Sequence, residues 1–343
     1  MTAVGTMRVA VLRRAGDVVT QRRAVPRPGA GEVLVKVAAV GVCGSDTHYF
    51  DHGRIGRFVV DQPLVLGHEA SGVIVELGPG VTGRQIGDRV SIEPGRPDFT
   101  CEQCLAGRYN LCPEMRFFAT PPVDGAFAEL VVVHQAMAHV VPDSVSDEAA
   151  ALLEPLSVAV WACGKGAVGA GSRVLVTGAG AIGLLCVQVA RALGATLIAV
   201  SDVNPARLAA ASELGATDVI DARTAKLSEL DWSPTVLLEC SGHPPVVAEG
   251  IRALAPAGRA VLVGMGGDEL PLPLSYVQEH EIEVTGTFRY ANTWPTAIAL
   301  VATGRVDLDR LVTSRHGLEQ APDALTAGRQ DPAAIKAIVR PGS

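Results

Sequence analysis

The segment from Arg173 to Gly183, Arg-Val-Leu-Val-Thr-Gly-Ala-Gly-Ala-Ile-Gly, constrains this chain more than any other. An apolar run, Arg173 to Thr177, ends in Gly178, Gly180 and Gly183. An apolar helical pattern from Ile182 to Leu193 follows at once. A lone Gly-x-Gly-x-x-Gly is weak, but between a strand and a helix it has the context that a dinucleotide-binding turn requires. Gly178 permits the tight turn, Gly180 lets the backbone approach a pyrophosphate, and Gly183 lets helix and strand pack closely. Free N–H groups at the helix start, around Ile182, then face the phosphates. Asp202 closes the next strand-like run, Thr196 to Ser201, at roughly the 20-residue offset of a ribose-binding acid. A carboxylate there accepts from both ribose hydroxyls and repels a 2′-phosphate, and no Arg adjoins it in Ser201-Asp-Val-Asn204. NAD is therefore expected over NADP. Arg207 either stacks near the adenine or ribose or is a solvated residue of the next helix, Pro205 to Leu214.

Strand-like runs continue at Val236 to Glu239 and Arg259 to Val263, so strands and helices alternate as in an α/β, doubly wound parallel sheet. The first stretch of chain differs. Short β-like runs at Arg8 to Leu12, Glu32 to Val37, Ser71 to Glu76, Arg89 to Ile92 and Leu130 to Val133 are punctuated by Gly and Pro. They predict a β-rich domain, with the change of character near Ser157. After Thr287 come an apolar helix, Trp294 to Thr303, and a final strand, Ile335 to Val339. Met1 to Thr6 reads as a loose extension. A chain of 343 residues can bury two such cores. The net charge of −7, with no Lys/Arg block, argues against nucleic-acid binding. No apolar run is long enough to span a bilayer and no signal core opens the chain, so no membrane role and a cytoplasmic location are expected.

The seven cysteines fit that compartment. Cys163, Cys186 and Cys240 sit in apolar stretches and read as inert core thiols. Cys101, Cys104 and Cys112 crowd into one loop. Cys43 lies in Gly-Val-Cys-Gly-Ser-Asp-Thr-His, His68 and Glu69 in Leu-Gly-His-Glu-Ala, and Glu154 in Leu-Leu-Glu-Pro-Leu-Ser. Sulfur, imidazole and carboxylate suit a tetrahedral zinc with an open position. Singly, each has a plainer reading: a core Cys, a satisfied His, a Glu capping a helix. Their occurrence beside a nucleotide turn favours the metal.

The whole pattern resembles the zinc-dependent medium-chain dehydrogenases, and within them the sorbitol (polyol) type. Cys43-Gly-Ser-Asp-Thr-His-Tyr, Gly67-His-Glu-Ala-Ser-Gly, Gly107-Arg-Tyr-Asn-Leu-Cys-Pro and Glu154-Pro-Leu-Ser-Val carry the resemblance. Phe118-Ala-Thr-Pro-Pro and Phe288-Arg-Tyr-Ala-Asn-Thr-Trp are of the polyol type. The resemblance implies a Rossmann domain, residues 158–289, and a β-rich GroES-like catalytic domain, residues 1–157, to which residues 290–343 return. It implies catalytic zinc on Cys43, His68 and Glu69, with Glu154 near the substrate and able to exchange with Glu69 at the metal. Ser45 would pass a proton outward and His48 is a candidate next station. Tyr49, Phe117, Phe118 and Thr120 would line the substrate cleft, where Arg289 and Tyr290 would also reach; by residue type Tyr49 and the two Phe are equally core residues. An Arg at an apolar strand end needs a reason, so Arg289 is the sharper candidate.

A second, structural zinc is implied by Cys101, Cys104 and Cys112. The family's fourth Cys is replaced here by Asp98, so the expected site has three thiolates and one carboxylate, or is an empty lobe. The implied reaction is oxidation of a secondary alcohol of an open-chain polyol, such as sorbitol, xylitol or L-iditol, to a ketose with NAD, by a homotetramer. Two rivals stay open. One is a same-fold enzyme for an aminocyclitol, a sugar acid of the idonate kind or threonine. The other is a nonenzymatic NAD-binding protein.

Overall fold

The computed structural model describes residues 5–267 and 269–342. The chain divides into two units, one running to Glu154 and resuming at Leu308, the other running from Pro155 to Asp307. The return to the first unit thus falls at Leu308 and not at residue 290. Helix Trp294–Ala302 belongs with the second unit, where Trp294 is buried. The Gln188 side chain also clamps Asp307 there, accepting from its N–H at 2.8 Å and donating to its carbonyl at 3.2 Å.

The second unit is built on six parallel strands in the order Asp218–Asp221, Leu197–Asp202, Arg173–Thr177, Val236–Glu239, Arg259–Leu262, Glu283–Gly286. Numbered along the chain, this is 3-2-1-4-5-6, so the order reverses between Arg173–Thr177 and Val236–Glu239. Both of these strands are apolar along nearly their whole length because helices cover both faces of a parallel sheet. Local chemistry fixes the helix ends. Asn204 Oδ1 accepts from the N–H of Ala206 and Arg207, Pro205 opens the helix Pro205–Leu214, and Gly215 closes it in the left-handed region at φ +115°.

The first unit holds a seven-stranded sheet in which Glu32–Gly41 is central. It pairs antiparallel with Glu69–Leu77 on one side. On the other it pairs with Leu130–His134 and, near its end, with Lys336–Arg340. Strand Thr6–Arg14 pairs with Asp17–Ala24 in a second sheet. It takes in Thr6 of the expected extension, whose residues 1–4 lie outside the described residues. Val9, Val11, Leu12, Val33, Val35, Ile74, Ile92 and Phe127 form the core of this unit. No helix among the described residues is long and apolar enough to cross a membrane.

Helix Asp147–Ala151 is tied to the C-terminal strands by Glu148, which accepts from Arg315 Nη2 at 2.8 Å and from Arg340 Nε at 3.0 Å. Burial alone would raise the Glu148 carboxyl, but the two guanidinium groups outweigh it and hold it below the ordinary range. Ionised Glu148 therefore stabilises the fold at pH values above the unfolded pKa. That contribution is lost as pH falls through the lowered folded pKa. Glu148→Gln should cost about 2 kcal/mol at neutral pH. Urea unfolding midpoints of the two proteins should converge as the pH falls below about 4. A gap independent of pH would refute this role.

Candidate active site

Register brings the first cluster together. Gly41 stands opposite Glu69 in the central strand pair, so Cys43, just past the end of one strand, meets His68 and Glu69 at the start of the other. The ligand atoms of Cys43, His68 and Glu69 all lie within 4.8 Å of one another. A Cβ on Gly41 would overlap the Glu69 carboxylate, so glycine leaves room for it. His68 and Glu69 are buried and Cys43 is half-buried.

Two residues that the sequence reading passed over organise this cluster. Asp46, wholly buried, accepts from the N–H of Gly67 at 2.9 Å and of Cys43 at 3.0 Å, and faces His68 Nδ1 at 3.7 Å. Burial pushes the Asp46 carboxyl up, but the His68 charge and these hydrogen bonds outweigh it and hold it low. Lys336, 4% exposed, pairs with Glu69 Oε1 and donates to the Val42 carbonyl at 3.0 Å. Burial would lower its pKa, but the negative charges of Glu69, Cys43 and Glu154 raise it overall, so the ammonium keeps its proton. A lysine inside the apolar run Ala-Ile-Lys-Ala-Ile-Val was the signal for it.

The other carboxylate oxygen, Glu69 Oε2, is buried without a hydrogen-bond partner. Such an atom costs stability unless something occupies it. The thiol, imidazole and carboxylate of this cluster are the donor set of a catalytic zinc, so these residues fit that ion. Glu154 is buried in the first turn of helix Leu153–Lys165 and is not among the three clustered ligands.

Ser45 is half-buried in the first turn of helix Gly44–His52, and His48 is exposed one turn on, its ring 4.6 Å from that of His52. Phe117 is buried with its ring 5.7 Å from the His68 ring, while Phe118 and Thr120 are half-buried. Tyr49 is part of the core.

In the second unit, Arg289 does not stand at an apolar strand end. Strand Glu283–Gly286 is a largely exposed edge strand that has already ended, and Arg289 lies in the following connection at φ +54°. Its guanidinium sits 4.8 Å from the Phe288 ring centroid. Tyr290 is buried, its ring 5.1 Å from that of Trp294.

The glycine-rich turn has the geometry its spacing predicts. Gly178 has φ +87°, a Cβ on Gly183 would overlap the Gly178 carbonyl oxygen, and a Cβ on Gly180 would meet nothing, so its backbone is open to a ligand. Asp202 accepts from the Ala179 N–H at 2.6 Å and the Asn204 N–H at 2.8 Å, which fixes its carboxylate beside the turn. Ile182 and Arg207 are half-buried, and Arg207 Nε is enclosed without a partner. Cys163 and Cys186 are fully buried, whereas Cys240 is only half-buried, its Sγ 3.9 Å from that of Cys186.

The ligand atoms of Asp98, Cys101, Cys104 and Cys112 also lie within 4.8 Å of one another. Asp98 accepts from the N–H of Thr100 and Cys101, which holds its carboxyl down at about 2. Burial, with neighbouring thiols and Asp98, pushes the Cys104 thiol up to about 12. Backbone N–H groups of Asp98 and Cys104 point at Cys112 Sγ and Cys101 Sγ, at 3.4 and 3.5 Å. The donor set fits a metal that displaces the thiol protons.

Residues 29–143 match the alcohol dehydrogenase GroES-like domain family, and residues 181–303 the zinc-binding dehydrogenase family. Sorbitol dehydrogenase of Gallus gallus is 44% identical over 332 residues, covering 94% of each chain. Sorbitol dehydrogenase of Bacillus subtilis (strain 168) is 40% identical over 336 residues, covering 96% of this chain and 95% of its own. Among solved structures, an Escherichia coli oxidoreductase/dehydrogenase of unknown specificity superposes with a TM-score of 0.94 at 32% identity, covering 98% of this chain and 99% of its own. The buried ligand cluster, the dinucleotide turn and these likenesses lead to one conclusion: the chain belongs to the zinc-dependent medium-chain dehydrogenases of the sorbitol dehydrogenase type.

Proposed function

We propose that this protein oxidises a secondary hydroxyl of an open-chain polyol, of the sorbitol, xylitol or L-iditol kind, to a ketose, with NAD as hydride acceptor. The observation that carries the proposal is the cluster of Cys43, His68 and Glu69, whose ligand atoms lie within 4.8 Å of one another and in which Glu69 Oε2 is buried without a partner. Those three residues would hold zinc, which when bound acts as a Lewis acid and makes a substrate hydroxyl easier to deprotonate.

Ser45 takes the substrate proton at its Oγ and hands it outward along the helix toward His48 and solvent. Asp46 orients His68, and Lys336 balances the buried charge of Glu69. Glu154 holds a hydroxyl of the polyol and can exchange with Glu69. Arg289 and Tyr290 are assigned to further hydroxyls, and Tyr49, Phe117, Phe118 and Thr120 to the walls of the substrate site. Gly178, Gly180, Ile182 and Gly183 receive the pyrophosphate, and Asp202 the adenine ribose, with Arg207 beside it. Asp98, Cys101, Cys104 and Cys112 are assigned to a second, structural zinc.

A cytoplasmic homotetramer belongs to the same proposal. The free cysteines suit a reducing compartment. The edge strand Glu283–Gly286, with Val284 and nearby Leu274 exposed, offers a surface for a second copy.

The cofactor part is tested by the kcat/KM ratio for NAD over NADP with sorbitol. The wild type should favour NAD by at least about 100-fold, because Asp202 would repel the extra phosphate at close range. Asp202→Ala should erode that ratio. Equal efficiency of the wild type with both cofactors would overturn the role of Asp202.

A further inference from the structure

Glu239 is a buried carboxylate that the reaction above does not use. It ends strand Val236–Glu239, directly opposite Thr177 at the end of Arg173–Thr177, where the strand order reverses. Its Oε1 accepts from the Ser241 N–H at 2.9 Å, the Gly242 N–H at 3.0 Å, the Ser241 hydroxyl and the Thr177 hydroxyl at 3.3 Å. Its Oε2 accepts from the Gly242 N–H at 3.2 Å. Every partner is a donor, which suits an acceptor-only group.

The turn that Glu239 gathers touches both neighbouring turns of the sheet edge. A Cβ on Gly178 would come within 3.0 Å of Ser241 N, so the pyrophosphate turn already rests on residues 240–241. On the other side, a Cβ on Gly242 would overlap the Met265 carbonyl, and a Cβ on Gly266 the Gly242 carbonyl. Glu239 thus joins the turns at residues 178–180, 240–243 and 264–266 into one floor.

A dinucleotide lies across the point where strand order reverses. Asp202 sits on one side of it, at the end of Leu197–Asp202. The opposite half of the ligand then falls over the ends of Val236–Glu239 and Arg259–Leu262.

We propose that Glu239 is a positioning residue for the nicotinamide half of the cofactor, holding the 240–243 turn in the shape that receives it. The proposal rests on the NAD reading above. The test is calorimetric binding of NADH and of ADP-ribose, which lacks the nicotinamide, to the full chain. Glu239→Ala should weaken NADH at least about tenfold and ADP-ribose less than about threefold, because the donors it releases lie mainly on the 241–242 turn, with the Thr177 hydroxyl alone beside the pyrophosphate turn. Glu239→Gln, which keeps one carbonyl oxygen for most of these donors, should restore NADH binding to within about threefold of wild type. Asp202→Ala should weaken both ligands together.

Ser241→Ala removes one donor and leaves the strand intact. It should show the same split at about threefold for NADH, so a poorly folded Glu239→Ala protein does not shelter the proposal. Equal losses of NADH and ADP-ribose in these variants, or unchanged NADH binding, would overturn the role of Glu239 alone. A wild type that binds neither ligand would remove the NAD reading and this proposal with it.

Discussion

Cys43→Ser or His68→Ala should lower turnover with a polyol by about 10³-fold or more while NADH binding changes less than about threefold. The first figure follows from removing Lewis-acid stabilisation worth several kcal/mol, at 1.36 kcal/mol per tenfold. The second follows from the division of labour in the chain. The ligand cluster belongs to the unit that runs to Glu154 and resumes at Leu308, whereas Gly178, Gly180, Gly183 and Asp202 belong to the unit from Pro155 to Asp307. Zinc content should fall with the activity, because each change strips one of three donors from a site whose remaining charge is balanced by Lys336. Wild-type turnover in either variant would overturn the ligand assignment.

The fold was most legible where one physical signal dominates. Strands Arg173–Thr177, Val236–Glu239 and Arg259–Leu262 are short apolar runs between turns, and helix Pro205–Leu214 carries its own start and stop in Asn204, Pro205 and Gly215. Helix Gly44–His52 was not legible. Gly-Ser-Asp-Thr-His-Tyr-Phe-Asp-His has no apolar stripe, and the helix is set instead by Asp46 bonding back to the Cys43 N–H. Helix Leu153–Lys165 was hidden for the opposite reason, since it is apolar nearly all round and shows no period. The return at Leu308 depends on Gln188 meeting Asp307, a contact that no local pattern announces.

For the site, the spacing of ligands says little until the sheet register sets Gly41 beside Glu69. Residue chemistry named Cys43, His68 and Glu69, but not Lys336, which reaches them from the last strand of the chain. By sequence Arg289 stands at an apolar strand end. The structure gives it a different setting, a strained connection in which it stacks on Phe288.

Substrate class carries the second large effect. Under the proposed assignment, Glu154, Arg289 and Tyr290 would supply hydrogen bonds that a simple alcohol does not require, and a site that hydrogen-bonds several hydroxyls leaves its own groups unpaired when they are missing. Sorbitol or xylitol should therefore be oxidised with a kcat/KM about 10⁴-fold above that of 2-butanol. Arg289→Ala should shrink this ratio by about tenfold or more, the loss of one charged hydrogen bond, with NADH binding changed less. Equal or better use of 2-butanol by the wild type would remove the polyol assignment while leaving a zinc- and NAD-dependent alcohol dehydrogenase standing.

The central claim, that a metal held by Cys43, His68 and Glu69 serves NAD-linked polyol oxidation, is tested most directly on a single preparation. NAD reduction by sorbitol and xylitol is followed in the protein as isolated, after exhaustive chelation with zinc content measured, and after zinc is returned. Activity should disappear with the metal and reappear with it, while NADH binding holds throughout. Undiminished polyol oxidation by the metal-free protein would contradict the account.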